Sequence, residues 1–216
     1  MNIILFGPPG AGKGTQASYI SKKFKLHKVS TGDLLRSEIK KKSNLGNEIK
    51  SLLDEGSLVS DKIIENLIVR ILTDKNVYNR LIFDGYPRNL VQAESLHSLL
   101  EKRDQKISCV FSLKVDKETI IKRILGRQVC TNCGDTFNKY YKTLDSKVHT
   151  CNPRFLSQRS DDNESTIVSR YETYLKKTFP ILEFYKNQNL LREINGDSEI
   201  SLIYKEIEHI IASLET

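Results

Sequence analysis

The chain has 216 residues, of which 38% are hydrophobic and 28% are charged, which predicts one globular core with room for an insertion or two. It has no apolar run long enough to cross a bilayer, which disfavours an integral membrane protein. The net charge of +7 does not indicate nucleic-acid binding, because the lysines are scattered over the predicted helices without a basic stripe interleaved with aromatic residues.

The N-terminal apolar run at residues 2–6 leads directly into the sequence GPPGAGKGT, which ends at Thr15. A strand, a glycine-rich loop and a helix in this order hold a polyphosphate, because main-chain N–H groups and the helix N-terminus attract negative charge. Lys13 supplies the charge that reaches the outer phosphates, and Thr15 supplies a hydroxyl near them and their Mg²⁺. A dinucleotide-binding loop is disfavoured, since this loop carries a lysine and no acidic residue closes a second strand at the usual distance. Gly14 stands where the general P-loop has Ser or Thr, and this variant is typical of small-molecule phosphotransferases.

The rest of the chain alternates short apolar strands with helices. The predicted strands are residues 3–6, 27–29, 81–83, 107–113 and 191–194, and the predicted helices are residues 13–24, 31–42, 89–102, 117–125 and 198–213. The strands are continuous apolar runs, as expected when both faces of a sheet are covered. The pattern therefore predicts an α/β fold of three layers, with a five-stranded, mostly parallel sheet and helices on both faces.

Two stretches do not fit this simple alternation. Residues 30–59 read as two helical segments between strands, and residues 127 to about 163 show little helical periodicity. An irregular stretch of the second kind within a compact domain is usually a lid or a binding insertion.

Two motifs lie where predicted strands end. The sequence DGYPR begins at Asp84, and a carboxylate at the end of a buried strand beside a P-loop orients Mg²⁺ directly or through water. In the sequence STGDLLR, Ser30 or Thr31 caps a helix with Asp33 in its electropositive first turn. The same residues together with Arg36 are also suited to hold a second phosphate-bearing ligand, and the two interpretations are compatible.

Four motifs, GPPGAGKGTQ, STGDLLR, DGYPRNLVQAE and QRSDDNE, occur in this order along nearly the whole chain. Together they resemble the adenylate kinases of the bacterial long-lid type. The resemblance implies reversible, Mg²⁺-dependent transfer of the γ-phosphoryl group of ATP to AMP, giving two ADP. It also implies a P-loop core at residues 1–29, 60–125 and 164–216, a helical AMP-binding insertion at residues 30–59 and a lid at residues 126–163.

The resemblance implies roles for individual residues. Those implied to contact ATP are Gly10, Ala11, Gly12, Lys13, Gly14, Thr15, Arg127, Thr136, Phe137 and Ser198. Those implied to contact AMP are Thr31, Arg36, Ser57, Leu58, Val59, Gly85, Tyr86, Pro87, Arg88, Gln92, Arg159 and Arg170, with Gln92 on the adenine edge. Those implied to act in catalysis are Lys13, Arg88, Arg123, Arg159 and Arg170. Asp33 and Asp84 are implied to orient Mg²⁺ through water, and Asp161 and Asp162 to hold Arg159 and Arg170 in place.

A set of cations suits this chemistry without any protein nucleophile. The acceptor phosphate oxygen attacks in line, so the protein positions the reactants, neutralises charge and excludes water. Guanidinium groups bind phosphate oxygens bidentately and stay charged. Six candidate cations match a site that holds five phosphates: Lys13, Arg36, Arg88, Arg123, Arg159 and Arg170.

The predicted lid contains three cysteines, Cys130, Cys133 and Cys151. The first two form a C-x₂-C knuckle, which is a common half of a zinc site, but Arg154 stands at the position of the family's fourth ligand. Zinc binding would then require His149 or Asp145 as a substitute. The sequence favours free thiols and a lid held by packing around apolar and aromatic side chains, while Cys109 reads as a core residue.

The resemblance leaves neighbouring activities open. Gln92 favours AMP over pyrimidine monophosphates, but the donor base is not fixed, so a GTP:AMP phosphotransferase or another nucleoside monophosphate kinase is the alternative. A P-loop switch protein without chemistry would lack the lid arginines, and they are present. Because the chain passes from Met1 straight into the P-loop, we expect no signal peptide and a cytoplasmic protein. We also expect a monomer that binds neither nucleic acid nor membrane.

Overall fold

The computed structural model describes residues 1–55, 57–141 and 151–215. Its strands are β1 (Asn2–Phe6), β2 (His27–Ser30), β3 (Leu81–Asp84), β4 (Ile107–Lys114), β5 (Arg127–Cys130), β6 (Thr136–Asn138), β7 (Leu156–Ser157) and β8 (Leu191–Asn195). Its helices are α1 (Lys13–Phe24), α2 (Thr31–Lys40), α3 (Asn44–Asp54), α4 (Asp61–Leu72), α5 (Leu90–Glu101), α6 (Lys117–Leu125), α7 (Glu164–Thr173), α8 (Ile181–Lys186) and α9 (Ile200–Glu215). A π-helical turn, Tyr174–Thr178, joins α7 to α8.

The core is a sheet of five parallel strands in the order β2-β3-β1-β4-β8. Side chains alternate between its two faces, as in any strand. Ile3 and Leu5 of β1 pack in one apolar cluster with α1 and α9, whereas Ile4 and Phe6 pack in a second cluster with α4, α5 and α8. The predicted three-layer α/β fold is therefore confirmed, with helices on both faces of the sheet.

The parallel arrangement places the carboxyl ends of all five strands at one edge of the sheet. The P-loop follows β1 there, Ser30 ends β2, and Asp84 ends β3. The loop after β8 lies at the same edge, where the Gly196 N–H donates to the Lys114 carbonyl oxygen at 2.7 Å. Ligands of open parallel sheets bind outside this edge, so the functional residues are expected to gather there.

The predicted strands and helices are all present, with ends that shift by one or two residues. Ser30 is the residue that caps α2, because its Oγ accepts from the Asp33 N–H at 3.3 Å. Three helices, α4, α7 and α8, were not predicted. The helix α4 is amphipathic, with Ile64, Ile68 and Leu72 buried. It follows α3 without an intervening strand, so the alternation of strands and helices did not indicate it.

The predicted lid contains regular structure that the sequence did not indicate. Strands β5, β6 and β7 form an antiparallel sheet in the order β6-β5-β7. Strands of two to four residues are too short to give a clear alternation of apolar and polar residues, and this explains why the pattern was missed. The Asn138 side chain ties this small sheet to α6 by donating to the Arg123 carbonyl oxygen at 2.7 Å.

The segment that enters α7 contacts the end of α3. The Ser160 hydroxyl donates to Asp54 Oδ1 at 3.1 Å, and the Thr166 hydroxyl donates to the Asp54 carbonyl oxygen at 3.1 Å. The predicted lid and the predicted helical insertion therefore contact each other through Ser160 and Asp54. Among the described residues, no helix combines the length and the apolar character needed to span a membrane.

Candidate functional site

The P-loop holds its lysine against its own main chain. Lys13 Nζ donates to the carbonyl oxygens of Gly7 at 2.7 Å and Pro8 at 2.9 Å. These partners carry no net charge, so they do not neutralise the ammonium group at the start of α1. An approaching phosphate would find this charge at the point where the helix N-terminus also favours an anion.

The surroundings of Lys13 disfavour its protonated form. Desolvation by burial is the main reason why the pKa of Lys13 falls to about 8, and the positive charges of Arg88 and Arg127 lower it further. The Asp84 carboxylate acts in the opposite direction. A cluster of cations around a lysine is the environment expected where several phosphates bind.

Two glycines of the P-loop have close neighbours. Gly10 has φ +80°, and a Cβ atom there would lie 2.8 Å from Ile124 Cγ1. A Cβ atom on Gly14 would lie 3.2 Å from Asp84 Oδ2. A Ser or Thr at the position after the lysine would therefore have to displace this carboxylate by a few tenths of an ångström.

Lys28 of β2 is a neighbour of this carboxylate that sequence reasoning missed. Its Nζ lies 4.0 Å from Asp84 Oδ2 and donates to the Gly14 carbonyl oxygen at 3.3 Å. The lysine therefore supports the P-loop and the carboxylate from the side of β2. A single lysine within a short strand carries no sequence signal for this role.

A second pocket opens beside the P-loop, between α2, α4 and α5. Its lining residues are Thr31, Leu35, Leu58, Val59, Ile64, Gly85, Tyr86, Arg88 and Gln92. The Gly85 carbonyl oxygen accepts from Thr31 Oγ1 at 2.7 Å and from Arg88 Nε at 2.8 Å. Desolvation, followed by the charges of Arg170 and Arg36, lowers the pKa of Arg88 to about 10. The pocket thus combines an apolar wall with a cation at one end.

Gln92 is a buried polar residue of this pocket, with 4% of its surface exposed. Its Oε1 accepts from the Arg88 main-chain N–H at 2.8 Å, and its Nε2 donates to Asp61 Oδ1 at 2.6 Å. Asn89 caps α5 through the Gln92 N–H at 2.8 Å, and its Nδ2 also donates to Asp61. Sequence reasoning missed Asp61, which reads only as an acidic residue in the first turn of α4.

Arginines from the lid and from α7 approach the same place, and carboxylates hold two of them. Arg127 Nε donates to Asp162 Oδ2 at 2.8 Å, and a second bond makes the pair bidentate. Arg170 is paired with Asp161. The expectation that Asp162 holds Arg159 or Arg170 is therefore wrong, since its partner is Arg127. The reason is that Arg127 is the first residue of β5, and this strand begins beside the segment that leads into α7.

Arg159 and Arg36 complete the group of cations. Burial, together with the charges of Arg127 and Arg36, lowers the pKa of Arg159 to about 10. Arg36 itself is paired with Asp33, with Nη2 at 2.5 Å from Oδ1. Arg127 and Arg36 lower the pKa of Arg159, and Arg170 and Arg36 lower that of Arg88, so these five arginines lie near one another.

Comparisons with known proteins agree with this geometry. A sequence model of the family described as "Adenylate kinase" matches residues 5–190. Proteins named adenylate kinase are similar along nearly their full length: that of Pelagibacter ubique is 46% identical over 98% of this chain and 99% of its own, and that of Archaeoglobus fulgidus is 37% identical over 100% of both. A third, from Clostridium botulinum, is 38% identical over 98% of both chains.

The chain belongs to the adenylate kinase family. It is thus a phosphotransferase that acts on nucleotides, and the P-loop fold predicted from the sequence is that of the family.

The remaining residues that the adenylate kinase resemblance singled out lie in different places. Arg123 of α6 reaches the P-loop, where its Nη1 donates to the Ala11 carbonyl oxygen at 3.4 Å. Ser57 follows α3 and leads into the pocket wall at Leu58. Ser198 lies in the loop between β8 and α9, and Thr136 and Phe137 lie on β6, which pairs with β5 and not with the core sheet.

The predicted lid brings its three cysteines together. The Sγ atoms of Cys130, Cys133 and Cys151 lie within 4.8 Å of one another. Asp135 Oδ2 accepts from Cys133 Sγ at 3.5 Å. His149 and Asp145, the substitute ligands considered from the sequence, lie outside the described residues. Cys109 is buried in β4, as predicted.

Proposed function

We propose that the chain binds Mg²⁺-ATP on the P-loop and AMP in the pocket beside it, and transfers the γ-phosphoryl group between them to give two ADP. The observation that carries this assignment is the position of the two sites at one edge of the sheet, with arginines between them. A protein with a single nucleotide site would have no need for the second pocket.

The donor side is assigned to the P-loop and to the residues around it. Lys13 would exchange its two carbonyl partners for phosphate oxygens, and Arg123 approaches the loop from α6. Charge that develops on the transferred phosphoryl group would be stabilised by these cations and by Arg127. Ser198 is assigned to the donor base because the loop after β8 ends at the same edge of the sheet.

The acceptor side is assigned to the pocket that Gln92 and Arg88 line. Arg88 and Arg36 would take the AMP phosphate, because both are close enough for their charges to interact. The aliphatic wall of Leu35, Val59 and Ile64 suits the face of a purine. A buried polar group among apolar neighbours gives a pocket its specificity.

The residues around Thr15 fit a magnesium ion. Mg²⁺ prefers oxygen ligands and keeps several of its waters, and the Thr15 hydroxyl and the Asp84 carboxylate supply oxygen here. When bound with ATP, the ion neutralises the phosphates and polarises the transferred group. Asp84 would hold its waters, and Lys28 keeps that carboxylate in place. Asp33, which is paired with Arg36, is assigned the same role.

We also propose that residues 30–59 and 126–163 act as two closing units on a core of residues 1–29, 60–125 and 164–216. The contact of Ser160 with Asp54 supports this division, because it joins the two units over the site. Closure would bring Arg159 near the phosphates and exclude water that would hydrolyse ATP. All of the assigned residues come from one chain, so a monomer is sufficient, and we propose that it works in the cytoplasm.

An acceptor and donor panel tests the assignment. Purified protein is assayed for ADP with ATP as donor and AMP, CMP, UMP or GMP as acceptor, and then with GTP in place of ATP. We expect AMP to be the best acceptor and ATP to be the best donor. A faster reaction with GTP would support the GTP:AMP phosphotransferase, and no transfer to AMP would refute the proposal.

For the lid we propose a structural zinc ion held by Cys130, Cys133 and Cys151. A zinc ion with bonds of about 2.3 Å keeps its sulfur ligands about 3.8 Å apart, and three sulfurs within 4.8 Å need only a small contraction. The fourth position falls to Asp135, the carboxylate that contacts Cys133. The convergence of three sulfurs therefore favours zinc, whereas the sequence alone favours free thiols.

Metal content decides between these two states. We expect about one zinc per chain in protein purified without a chelator, and a lower melting temperature once the ion is removed, because binding free energy adds to folding free energy. Cys133→Ser should lose the ion, whereas the control Cys109→Ser, in the core sheet, should retain it. Protein that is free of zinc and has three titratable lid thiols would establish the free-thiol state.

A further inference from the structure

The side-chain amide of Gln92 is held from both ends. The Arg88 main-chain N–H donates to its Oε1 at 2.8 Å, and its Nε2 donates to Asp61 Oδ1 at 2.6 Å. The residue is 4% exposed, so water does not compete strongly for either contact. The amide therefore has two fixed neighbours of opposite hydrogen-bonding character.

These neighbours permit one orientation of the amide. A main-chain N–H can only donate, and an ionised carboxylate can only accept. If the amide turned over, Nε2 would face the Arg88 N–H and Oε1 would face the Asp61 carboxylate, and both contacts would become repulsive. Leaving buried polar groups unpaired in this way is costly. Asp61 is itself kept in place by Asn89 Nδ2, which lies 2.9 Å and 3.2 Å from its two oxygens.

In this orientation the amide retains one unused acceptor site on Oε1 and one unused proton on Nε2. Adenine presents the matching pair, a 6-amino donor and an N1 acceptor. Hypoxanthine and guanine present the reverse pair, a 6-carbonyl acceptor and an N1–H donor. A glutamine that turns freely would accept both kinds of base, but a fixed one would accept adenine alone.

We propose that Asp61 is a positioning residue that determines the base specificity of the acceptor pocket by fixing the Gln92 amide. The inference rests on the proposed function, in which this pocket binds a nucleoside monophosphate. Asp61 acts through Gln92 and not on the substrate directly, so its effect should appear in the choice between bases and not in turnover as such.

The test compares AMP with inosine monophosphate, which differs from AMP at the two positions that the amide reads. Asp61→Asn removes the fixed acceptor, because the asparagine amide can present either its oxygen or its NH2 group, and only the Arg88 N–H then opposes a reversed Gln92. We expect kcat/KM for AMP to fall, kcat/KM for inosine monophosphate to hold or rise, and their ratio to drop about tenfold. A merely structural role would lower both values by the same factor, and that result would overturn the inference.

Glu65→Gln is the matched control. Glu65 lies one turn further along α4 and accepts from Ser95 Oγ of α5 at 2.8 Å. The change again converts a carboxylate into an amide between the same two helices, but without contact to Gln92. We expect the ratio between the two acceptors to stay within about twofold of that of the unchanged protein, and a tenfold drop here would also overturn the inference.

A measurement on the unchanged protein covers the case in which Asp61→Asn does not fold. With glutamine side chains labelled for NMR, the two Nε2 protons of Gln92 should exchange with solvent more slowly than those of free glutamine. Fast exchange would show an amide that is not held. If the unchanged protein fails to phosphorylate AMP, the proposed function fails. If it does so but Asp61→Asn leaves the ratio unchanged, only the role of Asp61 fails.

Discussion

Two groups of cations face the site, and they are held differently. In the core, Lys13 and Arg88 donate to neutral carbonyl oxygens, those of Gly7, Pro8 and Gly85. In the lid and α7, Arg127 and Arg170 are paired with the carboxylates Asp162 and Asp161. Among the described residues the first group has no carboxylate within ion-pair distance, although Asp84 attracts both cations from further away, whereas the second group is paired.

The difference indicates separate tasks. The depressed pKa values of Lys13, about 8, and Arg88, about 10, show that the core cations lie in an unfavourable environment, which bound phosphates would relieve. The arginines paired with carboxylates are stable without a ligand and are oriented in advance. The cations with depressed pKa values, which include Arg159 of the predicted lid, therefore supply attraction for phosphate, and the paired arginines supply geometry.

Lys13→Met should have the largest effect, because it removes a cation from the P-loop. We expect turnover to fall on the order of 10³-fold while the melting temperature changes little. A coupled assay for ADP measures the rate, and circular dichroism checks the fold. A folded variant that retained a tenth of the original activity would remove Lys13 from the mechanism.

Arg88→Ala should affect the acceptor side alone. We expect turnover to fall on the order of 10²-fold and the affinity for AMP to decrease, since one charge-assisted contact to phosphate is lost. Calorimetry should show ATP affinity within about twofold of the original value. Arg70→Ala, on the exposed face of α4, serves as the control. A loss mainly in ATP affinity would contradict the assignment of the two sites.

The pKa of Lys13 predicts how kcat/KM for ATP depends on pH, and it does so for a cation of the core group only. Because this pKa is about 8, the charged form is lost as the pH rises through that value. We expect kcat/KM for ATP to fall above pH 8, approaching about tenfold per pH unit. With saturating ATP the fall should begin at higher pH, because bound phosphates raise the pKa of the lysine. Identical profiles for kcat and kcat/KM would argue against this assignment.

Asp162→Asn should have the smallest effect on rate and a clear effect on stability. The side chain of Asp162 is fully buried and that of Arg127 is 19% exposed, so the change leaves a buried charge without its partner. We expect the free energy of unfolding to fall by about 2 kcal/mol. A bisubstrate mimic, two adenosines joined by five phosphates, should restore part of this loss. The exposed pair Lys186–Glu183 provides the control Glu183→Gln, with an expected change below about 0.5 kcal/mol.

The core of the molecule could be predicted from the sequence because its signals are local. Continuous apolar strands, a glycine-rich loop and the cap at Ser30 each depend on residues near one another in the chain. The helix α4 was not predicted because no strand precedes it. The sheet of the predicted lid was not predicted because its strands are too short to show an alternation of apolar and polar residues.

The candidate site divides in the same way. The P-loop lysine and the carboxylate at Asp84 follow from motifs, since their chemistry depends on a fixed spacing. Contacts between side chains from distant parts of the chain do not follow from motifs. Asp61 meets Gln92 across 31 positions of the chain, and Arg127 meets Asp162 across 35. Such contacts depend on how helices and strands pack, and a single sequence carries no pattern that reports them.

The pairing of β5 with β7 also bears on how the chain can be shortened. Cys130 and Leu156 are register partners in an antiparallel pair. The segment between them therefore begins and ends at neighbouring positions. Antiparallel neighbours can be joined by a two-residue turn. An exchange of residues 131–155 for such a turn would shorten the protein without breaking any hydrogen bond of the five-stranded sheet. Residues 131–155, which include β6, Cys133 and Cys151, could therefore change in length while the five-stranded sheet keeps its topology.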